Sequence, residues 1–271
     1  MSNKARDMKA AGIDVISLTL GEPDFDVPQN IKQAAFDAIN ENYSHYSPVP
    51  GFLELRKAIV NKLKRDNNLE YKPSQICVAN GAKQNIFNVL AALVNDGDEV
   101  ILPAPYWVSY DEMVKVNGGT SVFIETNIDT EFKMTAEQLE AAITPKTKAV
   151  LYSSPCNPSG SYYTREELEK IANVMAKYPD IVIISDEIYE FINYDGEHVS
   201  IAEFPQVFNQ TAVINGMSKA FAMTGWRIGY SACPDWLAAA CDKLQGQITS
   251  GADTVAERAS IVGLETDPKE Y

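Results

Sequence analysis

Histidine is nearly absent from this chain. Only His45 and His198 occur in 271 residues, too few for a His-rich metal centre. Cysteine is sparse too. Cys77, Cys156, Cys233 and Cys241 lie scattered without C-x-x-C spacing, which argues against a zinc site or a disulfide framework and fits a reducing compartment. No apolar run approaches the ~18 residues of a membrane span. The opening "MSNKARDMKAAGIDV" reads as a charged helix rather than a signal peptide, so the cytoplasm is the expected location. Basic residues are outnumbered, 23 against 37 acidic ones, for a formal net charge of -14. A surface of that sign repels phosphate backbones and anionic headgroups, so neither nucleic acid nor a membrane is an expected partner. Both the G-x-G-x-x-G fingerprint and the P-loop lysine motif are missing, which turns the reading away from dinucleotides and ATP.

What is present looks globular. A hydrophobic share of 45% and a charged share of 22% are ordinary, and the length supports one large domain or two smaller ones. "IDVISLTLG" reads as a short β-rich run ending in Gly21. In "PQNIKQAAFDAINEN" the spacing of Ile31, Ala35, Ala38 and Ile39 predicts one apolar helical stripe, with Pro28 suited to the first turn. A longer amphipathic helix follows in "FLELRKAIVNKLKRD". From there strands and helices alternate: "QICVAN", "DEVILP", "TSVFIET", "TKAVLYSSP", "DIVIISDE", "TAVING" and "WRIGYSAC" read as strands. Between them "AKQNIFNVLAALV", "YWVSYDEMVKVN", "TAEQLEAAI" and "TREELEKIANVMAKY" read as helices, the last with Thr164 and Glu167 spaced as a capping box. Apolar runs such as Val182–Ile184 imply strands covered on both faces, hence an α/β class with a mostly parallel sheet. In such sheets ligands gather beyond the carboxyl ends of the strands. Gly21, Gly81, Asn157, Asp186 and Lys219 all follow or end candidate strands.

Each candidate has a bland alternative. Asp186 in "IISDEIY" either caps the next turn or is a buried anion that needs a cation from the protein or a ligand. Tyr189 lies three residues on, placed to bring a phenol to the same side of a helical turn. "SSPCNPSG" is a stiff loop in which Asn157 can offer an amide to a ligand oxygen. At "VANGAKQN", Gly81 precedes a helix whose first free N–H groups suit a phosphate, although a glycine at such a turn is common. Trp107 is either core or a stacking platform. In "NGMSKAFAMTGWRIGY" two cations, Lys219 and Arg227, interrupt apolar sequence.

Taken with "SDEIY" and "CNPSG", "SKAFAMTGWRIGY" resembles the active-site signature of class I aminotransferases, which use pyridoxal 5′-phosphate (PLP). "LTLGEPDFDVP" and "HYSPVPGFLELR" are similar to the aspartate aminotransferase branch that includes the bacterial aspartate/prephenate enzymes. The resemblance runs from about residue 10 to the end of the chain. It implies a three-layer αβα fold with a mostly parallel seven-stranded sheet. It further implies that Lys219 is the covalent anchor and proton shuttle, that Asp186 keeps the pyridine nitrogen protonated, and that Asn157 and Tyr189 bond the phenolic oxygen. Trp107 would stack on the ring. The phosphate would lie against Gly81, the N–H groups of Ala82 and Lys83, Ser218 and Arg227. Tyr46 would reach the phosphate of a neighbouring subunit, implying a homodimer. Gly21 would lie beside the substrate carboxylate, with Trp107 and Asn157 also at the substrate. Lys83 would pair with the distal carboxylate of a dicarboxylic amino acid, the alternative being a solvated lysine.

The implied reaction moves an amino group between an amino acid such as aspartate and a 2-oxo acid such as 2-oxoglutarate. Members of this class continue well beyond the length seen here, into a small domain that supplies an arginine for the substrate α-carboxylate. Arg258, in "AERAS", does not match that motif. The expectation is therefore a C-terminally truncated chain in which residues 1–25 associate with the small domain and 26–271 form the PLP-binding domain. Two alternatives share the motifs: a PLP-dependent C–S lyase or related lyase, and a PLP-binding module without turnover.

Overall fold

The computed structural model describes residues 2–16, 21–194, 196–267 and 270. The first helices are α1 (Ser2–Ala10), α2 (Gln29–Asn40) and α3 (Leu53–Asn67). Then β1 (Ile76–Asn80), α4 (Ala82–Leu93), β2 (Glu99–Ala104), α5 (Ser109–Val116), β3 (Thr120–Glu125), α6 (Ala136–Ala142), β4 (Thr147–Ser153), α7 (Arg165–Met175) and β5 (Val182–Asp186) alternate. The chain continues through β6 (Thr211–Gly216), the short α8 (Met217–Ala220), β7 (Ile228–Ala232), α9 (Asp235–Ile248) and α10 (Thr254–Glu265). Local chemistry starts several helices. Thr164 Oγ1 accepts from Glu167 N at 3.3 Å while Glu167 Oε2 accepts from Thr164 N at 2.8 Å, the reciprocal box expected at α7. Thr135 and Gln138 repeat it at α6.

The seven strands form one sheet in the order β1-β7-β6-β5-β4-β2-β3. Six strands point one way. β7 alone is reversed, antiparallel to β1 and to β6. Alternate side chains along each strand enter opposite layers, as a two-residue period requires. Val100, Leu102, Ala149, Leu151, Val182 and Ile184 pack with residues of α4, α5 and α9. Ile101, Val150 and Ile183 face α6 and α7, and Ile76, Val78 and Val213 face α3 and α10. Full burial of one such aliphatic side chain contributes about 1.5–3 kcal/mol relative to exposure. The three-layer αβα architecture thus follows from strands that are apolar on both faces.

Two expectations change. Ile39 is 58% exposed, whereas Ile31, Ala35 and Ala38 are buried. At about 100° per residue Ile39 lies roughly 80° round from Ile31, outside the narrow stripe that α10 covers. The β-rich run before Gly21 shows no strand over residues 13–16, and residues 17–20 lie outside the described residues. Among the described residues no helix is long and apolar enough to cross a membrane, and all four cysteines are free.

The reversal of β7 determines where its first residues arrive. Because Asn80 pairs with Ile228 and Gly216 with Gly229, the start of β7 meets the carboxyl ends of β1 and β6. Arg227, just ahead of β7, therefore reaches the same sheet edge as Gly81, Asp186 and Lys219.

Candidate active site

A cleft of about 980 Å³ opens at that edge. Ten of the twelve residues singled out from the sequence line it: Gly21, Ala82, Lys83, Trp107, Asn157, Asp186, Tyr189, Ser218, Lys219 and Arg227. Gly81 lies immediately behind, with φ +88°, and a Cβ there would stand 2.3 Å from Arg227 Nη2. Only glycine accommodates both the backbone angle and that contact. Gly229, in β7, is held to glycine by close approach alone: a Cβ there would meet the Ala82 backbone nitrogen at 2.1 Å. Tyr46 is the exception. It is 93% exposed and outside the cleft.

Asp186 ends β5 and is 4% exposed. Tyr110 donates its hydroxyl to Oδ2 at 2.6 Å, and Ile188 N donates to Oδ1 at 3.3 Å. No described lysine, arginine or histidine forms an ion pair with it. Burial pushes its carboxyl up to about 6, with Glu187 adding to the rise and the two hydrogen bonds opposing it. Tyr110 was missed in the sequence, where it reads as one more helix residue. Its place one turn after Trp107 was the available signal, and the two rings meet edge-on at 5.5 Å.

The same cleft holds three cations. Arg227 adopts φ +58° and donates from Nη1 to Thr224 O at 2.8 Å and from Nη2 to Asn80 O at 3.2 Å. Lys83 Nζ sits 4.6 Å from the centroid of the Trp107 ring. Lys219 Nζ donates to Gly21 O and lies 5.7 Å from the Tyr189 ring centroid. Burial lowers the Lys219 ammonium, Arg227 lowers it further, and Glu22 partly offsets both. None of the three forms an ion pair with a described carboxylate. In a chain of net charge -14 that concentration marks an anion-binding cleft. Gly81 opens α4 as its N-cap, so the first N–H groups of that helix add to the same site. Asn157 Nδ2 and the Tyr189 hydroxyl approach to 3.4 Å, two polar groups side by side at the cleft wall. Tyr189 belongs to a turn rather than a helix, yet it faces the cleft with Asp186 as expected.

The arrangement combines a buried acid, an amine with a lowered proton affinity, and a guanidinium beside helix N–H groups. That is a site that can take a ligand carrying a cation or proton donor at one end and an anion at the other. A family model described as aminotransferase class I and II matches residues 13–271, and the chain belongs to that family. Among curated relatives it is 52% identical to the aspartate aminotransferase of Bacillus sp. over 260 residues, covering 95% of this chain and 66% of the relative. It is 47% identical to the aspartate/prephenate aminotransferase of Cereibacter sphaeroides, covering 100% of this chain and 68% of the relative. The crystal structure of the aspartate aminotransferase from Rhizobium meliloti superposes with a TM-score of 0.96 at 44% identity, covering 99% of this chain and 68% of that one. The chain thus spans about two thirds of the length of the proteins it matches.

Proposed function

We propose that this chain carries the PLP site of an aminotransferase that passes an amino group between a dicarboxylic amino acid, aspartate foremost, and a 2-oxo acid. The observation that carries the reading is Asp186, a buried carboxylate with no cation from the described residues, sharing one cleft with Lys219 and Arg227. PLP fits both ends of that cleft. Its protonated ring nitrogen would complete Asp186, and its phosphate would complete Arg227, Ser218 and the N–H groups of Ala82 and Lys83. When bound, the cofactor supplies a conjugated ring that takes up the electron pair released at the substrate α-carbon.

The chain's own residues do the rest. Lys219 would hold the cofactor through its Nζ until the substrate's amine takes its place there, and burial would keep a larger share of the freed amine unprotonated and able to accept the substrate's α-proton and pass it on. Asp186 would hold the proton on the ring nitrogen. Asn157 and Tyr189 would offer their polar groups to the phenolic oxygen, and Trp107 would cover the ring. Lys83 offers its ammonium to the second carboxylate of the substrate. An aspartate aminotransferase from Thermus thermophilus, solved with the dicarboxylate maleate, superposes on this chain with a TM-score of 0.94 at 42% identity. Tyr46, fully turned to solvent, is suited to reach the cleft of a second copy, which makes a homodimer part of this reading.

An absorbance spectrum tests it. Added PLP should give a band near the blue end of the visible that aspartate bleaches, and Lys219→Ala should lack the band. Absence of the band in the unsubstituted chain refutes the reading. Release of pyruvate and ammonia from cystathionine without a 2-oxo acid would make the chain a lyase instead.

A further inference from the structure

The turn that carries Tyr189 is gripped from behind. Asp186, Ile188 and Tyr189 line the cleft, whereas Glu187 and Glu190 turn away from it into buried polar surroundings. Glu190, 7% exposed, accepts through Oε1 from Lys62 Nζ and from Asn215 Nδ2 at 2.9 Å, and through Oε2 from Asn67 Nδ2 at 2.9 Å. Lys62 is 2% exposed and also donates to Asn67 Oδ1 at 2.8 Å. On the other flank Glu187 Oε1 accepts from Ser185 Oγ at 2.9 Å and Ser200 Oγ at 2.7 Å, and His198 Nε2 lies 3.1 Å from Oε2.

Buried ion pairs contribute little net stability, because desolvating two charges cancels most of their attraction. A fixed geometry is what such a pair can add. Tyr189 needs one, since its described side-chain hydrogen bond, from Asn157, is long at 3.4 Å. The ring must be placed by its backbone, and Glu190 is the next residue. Asn215 extends the link: its Oδ1 accepts from Gly216 N at 2.7 Å, at the end of β6, directly before the segment that bears Lys219. Glu190 therefore ties the Tyr189 turn to α3 and to the Lys219 segment at once.

We propose that Glu190, with Lys62 as its counter-ion, is a positioning residue that sets the Tyr189 phenol against the Lys219 amine. It rests on the reading that both face PLP. The readout is the pH midpoint of the absorbance of the PLP-bound chain, which reports hydrogen bonding to the cofactor's phenolic oxygen. Tyr189→Phe should raise that midpoint. Glu190→Gln should raise it in the same direction by about half a pH unit, a roughly threefold change in the proton equilibrium. The Glu190→Gln/Tyr189→Phe double variant should match Tyr189→Phe alone, because the phenol is the group through which Glu190 acts.

Glu190→Gln leaves the buried Lys62 only the more distant Asp66, at 4.0 Å, as an anion, so a Lys62→Met/Glu190→Leu variant removes both charges of the pair and keeps the packing volume. It should fold, bind PLP and still show the raised midpoint. A wild-type midpoint in that variant would overturn the proposal, as would equal Glu190→Gln shifts with and without the phenol. A Tyr189→Phe midpoint identical to wild type removes the role of the phenol, and the positioning role falls with it while PLP binding stands. Failure of the unsubstituted chain to bind PLP refutes the proposed function itself.

Discussion

Replacing Asp186 by asparagine should make the cofactor-free chain more stable while ruining its use of PLP. The carboxyl is 4% exposed and has no described cationic partner, so burial lifts it from the ordinary 3.8 to about 6. At 1.36 kcal/mol for each tenfold change, that rise is worth about 3 kcal/mol. The sign follows from proton counting. Between about pH 4 and 6 the folded chain holds a proton on Asp186 that the unfolded chain has lost, so stability falls as pH rises through this window. Above it the whole ~3 kcal/mol is missing. Asparagine has no charge to bury, and the Tyr110 hydroxyl can reorient to accept from its amide. Urea unfolding of both proteins without PLP, at pH 4 and pH 8, reads the difference. The gap in favour of Asp186→Asn should open at pH 8 by about 2–3 kcal/mol and nearly close at pH 4. Saturating PLP should narrow it again in wild type alone, because the protonated ring nitrogen gives the carboxylate its partner. A variant that is less stable than wild type at pH 8 would refute the account of Asp186 as an anion awaiting a ligand.

Three further outcomes are expected. Glu257, fully buried and held by Ser47 Oγ at 2.9 Å and Phe52 N at 2.8 Å, is pushed up to about 7 by burial. Wild-type stability should therefore also fall as pH rises from about 4.5 to 7, and Glu257→Gln should remove that slope and gain on the order of 3 kcal/mol at pH 8 in urea titrations. Gly81→Ala forces φ +88° on a residue with a Cβ and drives that atom into Arg227, so PLP affinity from an absorbance titration should weaken tenfold or more, about 1.4 kcal/mol. Lys83→Ala should raise KM for aspartate far more than for alanine in coupled assays, and equal losses on the two would remove its part in specificity.

Much of this arrangement was legible in the sequence because each signal was local. Val182, Ile183 and Ile184 are apolar in succession, and such runs reveal a strand covered on both sides whatever the rest of the chain does. The cleft residues were legible for a related reason: Gly81, Asp186 and Lys219 each follow or end a strand. What escaped was long-range. Tyr110 meets Asp186 across 76 residues, and nothing near either one announces the bond. Lys62, inside the highly charged "KLKRD", looks like a surface lysine until Glu190 is brought to it from 128 residues away. The direction of β7 is likewise absent from its composition, because an apolar run reads the same in a parallel or an antiparallel neighbour.

That reversed strand has a consequence for how the site could be altered. With Gly216 and Gly229 paired at its base, the segment between β6 and β7 is a closed cassette that carries the amine at one end and the guanidinium at the other. Its span is fixed by the hydrogen bonds beneath it and by Met217, Phe221 and Met223, which anchor it in the core shared with α2, α3 and α10. Lengthening the exposed turn at Gly225 would change the reach between amine and anion site while leaving those anchors and every strand in register. A designer wanting a longer or shorter cofactor would have a single place to cut.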